Sequence, residues 1–234
     1  MTAFLFDVDG TLTPSRQPID PKFKSFFLGW LEDHDAWLVT GSDYAKTLEQ
    51  LGEEICHKVC GIFTCSGNEF IVEGSRVAYN DWTLPEMAHE YLASKLITSE
   101  FPLRCDRHFE HRTGMVNFSI VGRGATLEER QEYIKWDKTY NERKNIARQF
   151  NRIFPELEAK VGGETGLDIS PKGFDKRQIL KHFDTSHVVF FGDAMSVDGN
   201  DFPLADALIV RGNCDVYPVT SWIDTFNRLD EIYD

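Results

Sequence analysis

Phe4-Leu5-Phe6-Asp7-Val8-Asp9-Gly10-Thr11-Leu12-Thr13 decides the fold of this chain. Apolar residues run straight into two carboxylates one residue apart, followed by Gly-Thr. That pattern is a buried strand whose carboxyl end opens into a tight polar loop. In open α/β sheets the carboxyl ends of the strands are where ligands bind. Two acids held together there repel each other and invite a divalent cation. Asp7 is the candidate nucleophile, because a carboxylate that attacks phosphorus splits one hard displacement into two easier ones. Asp9 is the candidate general acid/base, able to protonate a leaving oxygen and later deprotonate an attacking hydroxyl. Gly10 allows the sharp turn, and Thr11 can hydrogen-bond it.

Outward from this strand the first part of the chain alternates strand and helix, the mark of a parallel sheet. Residues 21–30 carry Phe23, Phe26, Phe27 and Trp30 at helical spacing, with Asp20 as N-cap and Pro21 in the first turn. Residues 36–39 and 61–65 read as strands, and 44–51 as a helix. From about Asn80 the character changes. Residues 86–98 read as a helix with Met87, Tyr91 and Leu92 or Leu96 on one face. Residues 109–121 read as one strand-like stretch with the alternation of an antiparallel sheet. Thr126 to Glu129 is a capping box opening a helix, 140–154 is amphipathic with Ile146, Phe150 and Ile153 in one stripe, and 167–170 is a short strand. Near Pro171 the alternating pattern returns, with a helix over 175–182, strands over 188–191 and 207–210, and a closing helix over 223–233. The expectation is a Rossmann-like α/β core interrupted by an inserted α+β cap of about 90 residues, a common size for a small domain. The boundaries read as core 1–79, cap 80–170 and core 171–234.

Further chemistry sits at the ends of the core strands. Gly192-Asp193 closes the strand over 188–191, and magnesium prefers oxygen ligands. Asp193 is expected to bind Mg²⁺ with Asp7 and the backbone carbonyl of Asp9, with Asp201 of Gly199-Asn200-Asp201 as an outer or additional ligand. Lys176 starts a helix after a turn, where an ammonium can neutralise an aspartyl-phosphate. Thr40 and Ser42 end the second strand, where a hydroxyl and backbone N–H groups can hold phosphoryl oxygens. Each of these is an everyday surface feature alone; their order along one chain is what carries weight.

The chain has 234 residues, 41% of them hydrophobic and 13% aromatic, enough for real cores. Its formal net charge of −13 argues against nucleic acid or an anionic membrane as partner. A phosphorylated small molecule is not excluded, because a local basic pocket can overcome the global field. Five cysteines at 56, 60, 65, 105 and 214 make an odd number without framework or zinc spacing and are expected to be reduced thiols. A candidate nucleophile within ten residues of Met1 leaves no room for a cleavable leader, and no apolar run approaches the roughly 20 residues that span a bilayer. A cytoplasmic location is the expectation.

Asp7-Val8-Asp9-Gly10-Thr11, with Ser42, Lys176 and Asp193 following in order, resembles the motif set of the haloacid dehalogenase superfamily of phosphoryl-transfer enzymes. The segment Arg112-Thr113-Gly114-Met115-Val116-Asn117-Phe118-Ser119-Ile120-Val121-Gly122-Arg123, continuing to Arg130, is very similar to the cap of the eukaryotic-type phosphomannomutases. Further echoes are Gly41-Ser42-Asp43-Tyr44, Gly173-Phe174-Asp175-Lys176-Arg177 and Phe190-Phe191-Gly192-Asp193. The resemblance runs over essentially the whole chain.

It implies interconversion of mannose 6-phosphate and mannose 1-phosphate through an aspartyl-phosphate shielded from water, feeding GDP-mannose synthesis. Mg²⁺ and a priming hexose 1,6-bisphosphate are implied with it, as is a homodimer through the caps. Trp82, Leu84, Met87 and Tyr91 could form that interface or the cap core; we read them as core. The resemblance also implies that Arg16, Arg112, Arg123 and Arg130 contact the sugar phosphate and Asp168 the sugar hydroxyls, and planar guanidinium groups suit bidentate phosphate binding. The chain departs from the family pattern at three places. Gly166 stands where a serine is usual, two positions before the cap acid. Thr113 replaces an asparagine, and the stretch 202–206, where the family has a second cation site, is altered. The same core residues would also serve a Mg²⁺-dependent sugar-phosphate phosphatase, in which water attacks instead. A binding protein that merely kept the fold is the third reading, and the intact set Asp7, Asp9, Lys176 and Asp193 argues against it.

Overall fold

The computed structural model describes residues 2–184, 186–197 and 199–233. The chain divides into two compact units, Met1–Asn80 with Gly173–Asp234, and Asp81–Lys172.

The first unit opens with β1 (Thr2–Phe6), buried from Ala3 onward. α1 (Pro21–Trp30) begins where the Asp20 side chain accepts from the N–H groups of Lys22 and Phe23, a cap that contributes about 1 kcal/mol. It buries Phe23, Phe27 and Trp30. β2 (Ala36–Val39) follows, then α2 (Tyr44–Lys58). α2 runs past the stretch 44–51 read from the sequence, because Gly52 at φ +80 kinks the helix and lets it resume, carrying Ile55 and Cys56 into the core. After β3 (Gly61–Thr64) comes a hairpin of β4 (Glu69–Val72) and β5 (Ser75–Tyr79) that the sequence reading lacked. Its Glu73-Gly74 turn has both residues at positive φ, 49 and 73, as a two-residue hairpin loop requires.

The second unit starts with α3 (Glu86–Thr98). Ala88 and Leu92 are its buried residues, and Met87 projects into solvent at 74% exposure, so the apolar face is rotated from the one expected. Trp82, Leu84 and Tyr91 do pack against the cap core. The single strand expected over 109–121 is a hairpin of β6 (Phe109–Arg112) and β7 (Met115–Ser119), folded at Thr113-Gly114 with Gly114 at φ +71. The capping box is present in full: Thr126 and Glu129 exchange side chain to backbone bonds at the start of α4 (Leu127–Tyr140). Asn141 in the left-handed region separates α4 from α5 (Glu142–Ile153). Ile146 and Phe150 of α5 are buried, whereas Ile153 is half exposed. β8 (Leu157–Gly162) and β9 (Gly166–Pro171) complete an antiparallel sheet of order β6-β7-β9-β8. Period-two alternation sends Phe118, Leu167 and Ile169 into the cluster that also holds Leu92, Tyr133 and Phe150. The opposite face carries the row Glu110, Asn117, Asp168 and Lys160, paired directly across the four strands.

The chain then returns to the first unit through a 3₁₀ helix (Lys176–His182), β10 (His187–Gly192), α6 (Phe202–Arg211), β11 (Cys214–Pro218) and α7 (Trp222–Tyr233). The strand expected at 207–210 is therefore part of α6. Leu204, Ala205 and Leu208 form its buried face, while Ile209 and Val210 are exposed, which is helical spacing. The seven-stranded sheet has the order β11-β10-β1-β2-β3-β4-β5 and is parallel from β11 to β3. From β1 the chain steps outward to β2 and β3, and later fills the other side with β10 and β11. The carboxyl ends of β1 and β10 thus form the switch point at which such sheets bind ligands. Phe6 and Phe191 are partners in register there, and their rings stack at 5.1 Å.

Candidate active site

Asp7 is the first residue beyond β1. Its N–H donates to the Phe191 carbonyl at 3.0 Å, which ties the nucleophile candidate to the end of β10. The loop folds back at Gly10, where φ is +83 and a Cβ would lie 2.4 Å from Asp193 Oδ2. Glycine is therefore required there for backbone conformation and for the approach of Asp193 alike.

Lys176 is fully buried and donates to Asp7 Oδ1 at 2.5 Å and to Asp201 Oδ1 at 2.6 Å. Asp201 is equally buried, and its other oxygen accepts from the Ala194 N–H at 3.0 Å. Burial first, then the Asp201 charge, push the Asp7 carboxyl up to about 8, with Lys176 pulling the other way. Burial alone would depress the Lys176 ammonium, but Asp201 and Asp7 hold it above its ordinary value. The lysine therefore stays charged.

Asp9 is turned differently. Oδ1 accepts from the Arg16 N–H at 2.6 Å and from Gln50 Nε2 at 3.0 Å, and Oδ2 from the Ser42 hydroxyl at 3.3 Å. Burial pulls its carboxyl upward, but those hydrogen bonds and the Lys46 charge outweigh it and hold Asp9 below the usual carboxylate range. Arg16 reaches this cluster through its backbone, at φ +59, while its side chain is exposed. Thr40 supports the same corner by accepting from the Ser42 N–H at 3.0 Å.

Asp7, Asp193 and Asp201 each offer a carboxylate oxygen, all within 4.8 Å of one another. Three carboxylates face one ammonium here, and the excess negative charge together with all-oxygen donors fits a hard divalent cation such as Mg²⁺. Asp201 is a full member of this acidic cluster. The carboxylate of Asp9 is engaged elsewhere, so on the expected ligand set Asp9 contributes its backbone carbonyl.

The second unit holds its own polar cluster. Glu110 Oε2 accepts from Arg123 Nη2 at 2.6 Å and Arg112 Nη2 at 3.2 Å. Arg123 Nη1 donates to Asn117 Oδ1 at 3.3 Å, and Asn117 Nδ2 donates to Asp168 Oδ1 at 2.7 Å. Arg130 pairs with Glu164 at 3.1 Å, and its buried Nε has no hydrogen-bond partner among the described residues. Burial lowers the affinity of the Arg123 guanidinium for its proton, Glu110 and Asp168 oppose that, and Arg112 and Arg130 add to it. Glu110, Arg112, Arg130 and Asp168 thus all lie within electrostatic reach of Arg123. Arg112 and Arg123, expected at the two ends of one strand, instead stand at the end of β6 and beyond β7.

Gln50 and Asn117 were not singled out in the sequence. Gln50 carried a signal, because it sits with Thr47 on the buried face of α2 beside Leu51 and Ile55, and a buried polar side chain must have a partner. Asn117 sits in a strand whose five residues are all buried, and a polar residue there calls for the same question.

The fold is that of the haloacid dehalogenase superfamily. The structure superposes on a haloacid dehalogenase-like hydrolase from Bacteroides thetaiotaomicron with a TM-score of 0.63 over 99% of both chains, at 12% identity. The sequence resolves the family within that fold. The profile of the eukaryotic phosphomannomutases matches residues 31–234. The chain is 35% identical over 247 residues to phosphomannomutase 1 of Homo sapiens, covering 98% of this chain and 91% of that protein. It is 32% identical over 246 residues to phosphomannomutase 1 of Dictyostelium discoideum, covering 99% and 96%. This chain belongs to the eukaryotic phosphomannomutase family.

Proposed function

We propose that this protein is a phosphomannomutase, interconverting mannose 6-phosphate and mannose 1-phosphate. The observation that carries the reading is the cap cluster, in which Arg123 joins Glu110 and, through Asn117, Asp168, with Arg112 on the same Glu110 and Arg130 within electrostatic reach of Arg123. A mutase must grip the phosphate that is not being transferred and then accept the sugar turned the other way round. Guanidinium groups suit the phosphate because they bind it bidentately, and a carboxylate such as Asp168 suits sugar hydroxyls as an acceptor.

In the core, Asp7 attacks the phosphoryl group and carries it as an aspartyl-phosphate, primed by a hexose 1,6-bisphosphate. Asp9 passes protons to the leaving oxygen and from the attacking hydroxyl; its depressed carboxyl is ready to accept one. Lys176 offsets charge on Asp7 and on the transferred group. Asp7, Asp193 and the Asp9 carbonyl would hold Mg²⁺, with Asp201 beside them, and the ion when bound supplies neutralisation of phosphoryl oxygen charge. Ser42 and Arg16 complete the substrate-binding set on this reading. A cytoplasmic location and a homodimer through the cap belong to the same proposal. Free thiols at Cys56, Cys60, Cys105 and Cys214 suit a reducing compartment, and no helix among the described residues is long and apolar enough to cross a membrane.

The test incubates the protein with Mg²⁺, mannose 1-phosphate and a trace of glucose 1,6-bisphosphate, following mannose 6-phosphate and free phosphate in one tube. Isomer formed well ahead of phosphate is the expected result. Phosphate without isomer would make the protein a phosphatase and overturn the reading.

A further inference from the structure

We propose that Asn117 is a positioning residue for the sugar phosphate, coupling the phosphate-side Arg123 to the hydroxyl-side Asp168, and that position 166 is glycine because the Asn117 carboxamide occupies its space. The inference rests on the proposed role of the cap cluster and adds to it a residue that none of the motifs assigns.

Strand register supplies the frame. Glu110, Asn117 and Asp168 are directly opposed on β6, β7 and β9, so they share one face of the sheet at neighbouring positions. Asn117 is 5% exposed, and both ends of its amide are used: Oδ1 accepts from Arg123 and Nδ2 donates to Asp168. With Glu110 holding Arg112 and Arg123, one unbroken chain of bonds runs Arg112, Glu110, Arg123, Asn117, Asp168. Asn117 is the link at which a cation donor on one side meets a carboxylate acceptor on the other. An amide is the group that can do both at once, since it carries an acceptor oxygen and a donor nitrogen.

Gly166 is diagonal to Asn117 across the β7–β9 pair. A Cβ at 166 would lie 2.5 Å from Asn117 Nδ2 and 2.8 Å from Oδ1. Any side chain there displaces the carboxamide, and with it the bond to Asp168. The neighbouring strand obeys the same rule, because a Cβ at Gly162 would lie 2.1 Å from Asp168 Oδ2. Where a serine is usual, Gly166 thus leaves room that the Asn117 carboxamide fills, and the polar contact comes from β7 instead of β9.

The test measures KM and kcat for mannose 1-phosphate, with thermal melting, for the full chain and its Asn117→Ala and Gly166→Ala variants. Asn117→Ala is expected to raise KM roughly tenfold, the worth of a charge-assisted hydrogen bond, with kcat within about twofold. Gly166→Ala keeps the amide but pushes it aside, and is expected to shift KM in the same direction by a smaller factor. It also serves if Asn117→Ala fails to fold. In an Asp168→Ala background, adding Asn117→Ala is expected to cost less than about twofold more, because the two act together. A lowered melting temperature with KM unchanged in both variants, or additive effects of Asn117→Ala and Asp168→Ala, would overturn the proposal while leaving the mutase reading intact. A wild-type protein that neither isomerises nor hydrolyses hexose phosphate would overturn that reading and this proposal with it.

Discussion

The two polar clusters of this protein are built on opposite physical terms. In the core, Lys176, Asp7 and Asp201 are at most 3% exposed and joined by bonds of 2.5 and 2.6 Å. In the cap, the side chains of Arg112, Arg123 and Arg130 keep 30%, 27% and 23% of their surface in water, and their partners are the carboxylates Glu110 and Glu164. A buried ion pair is costly to break, because each partner is left charged in a medium that solvates it poorly. A half-exposed pair exchanges partners at little cost. The core is therefore assembled once and held for chemistry. The cap arginines are held by the carboxylates of Glu110 and Glu164; on the proposed function a phosphate replaces these partners, as a site that releases one end of a sugar and takes the other requires.

The sharpest way to break this contrast is at Asp7. Asp7→Asn is expected to reduce turnover to the assay baseline with the melting transition retained, since the amide is isosteric and Lys176 keeps Asp201 as partner. Activity near wild type in that variant would remove the core from the account. Next in size is Lys176→Met, which leaves Asp7 and Asp201 buried without their cation. It is expected to destabilise the fold by roughly 3–5 kcal/mol in urea titrations, whereas Arg130→Ala in the cap is expected to cost below about 1 kcal/mol. Equal losses at the two positions would contradict the contrast. Arg123→Lys, which keeps the charge and loses the planar fork, is expected to raise KM for mannose 1-phosphate roughly tenfold while leaving stability nearly unchanged.

A further effect is in pH. Folded Asp7 holds its proton up to about 8, from an ordinary value of 3.8. Between those values the unfolded chain binds fewer protons at this site, so stability of the metal-free protein falls as pH rises through the window. The expected result is a melting temperature that declines steadily across this window and recovers when Mg²⁺ is added at the upper end. In Asp7→Asn this part of the decline is absent.

The same contrast explains what the sequence disclosed. Elements fixed by local chemistry were legible: β1 from its apolar run, α1 from Asp20 and Pro21, α4 from the Thr126 and Glu129 box. The β1 and β10 ends followed from the two Asp-bearing turns. Elements decided by tertiary setting were not. The run Ala207-Leu208-Ile209-Val210 satisfies a strand or a helix, and the burial of Leu204, Ala205 and Leu208 against the sheet selects the helix. β5 has every residue exposed, so it carries no core-facing pattern, and its Glu73-Gly74 turn was the one available signal. Asp9 and Lys176 could be picked out because their motifs are local. Gln50 and Asn117 act on residues 41 and 51 positions away, and only the folded chain brings those partners to them.

The division of labour between core and cap is tested by incubating the protein with Mg²⁺ and hexose 1,6-bisphosphate labelled in its phosphates, quenching in acid within one turnover, and mapping the label by mass spectrometry. Phosphate is expected on Asp7 in the wild-type chain and none in Asp7→Asn. Label is also expected to reach Asp7, more slowly, when Arg123 is replaced by lysine. Label on another residue, or isomer formed with no labelled protein at any time, would contradict a core that carries the phosphoryl group while the cap only holds the sugar.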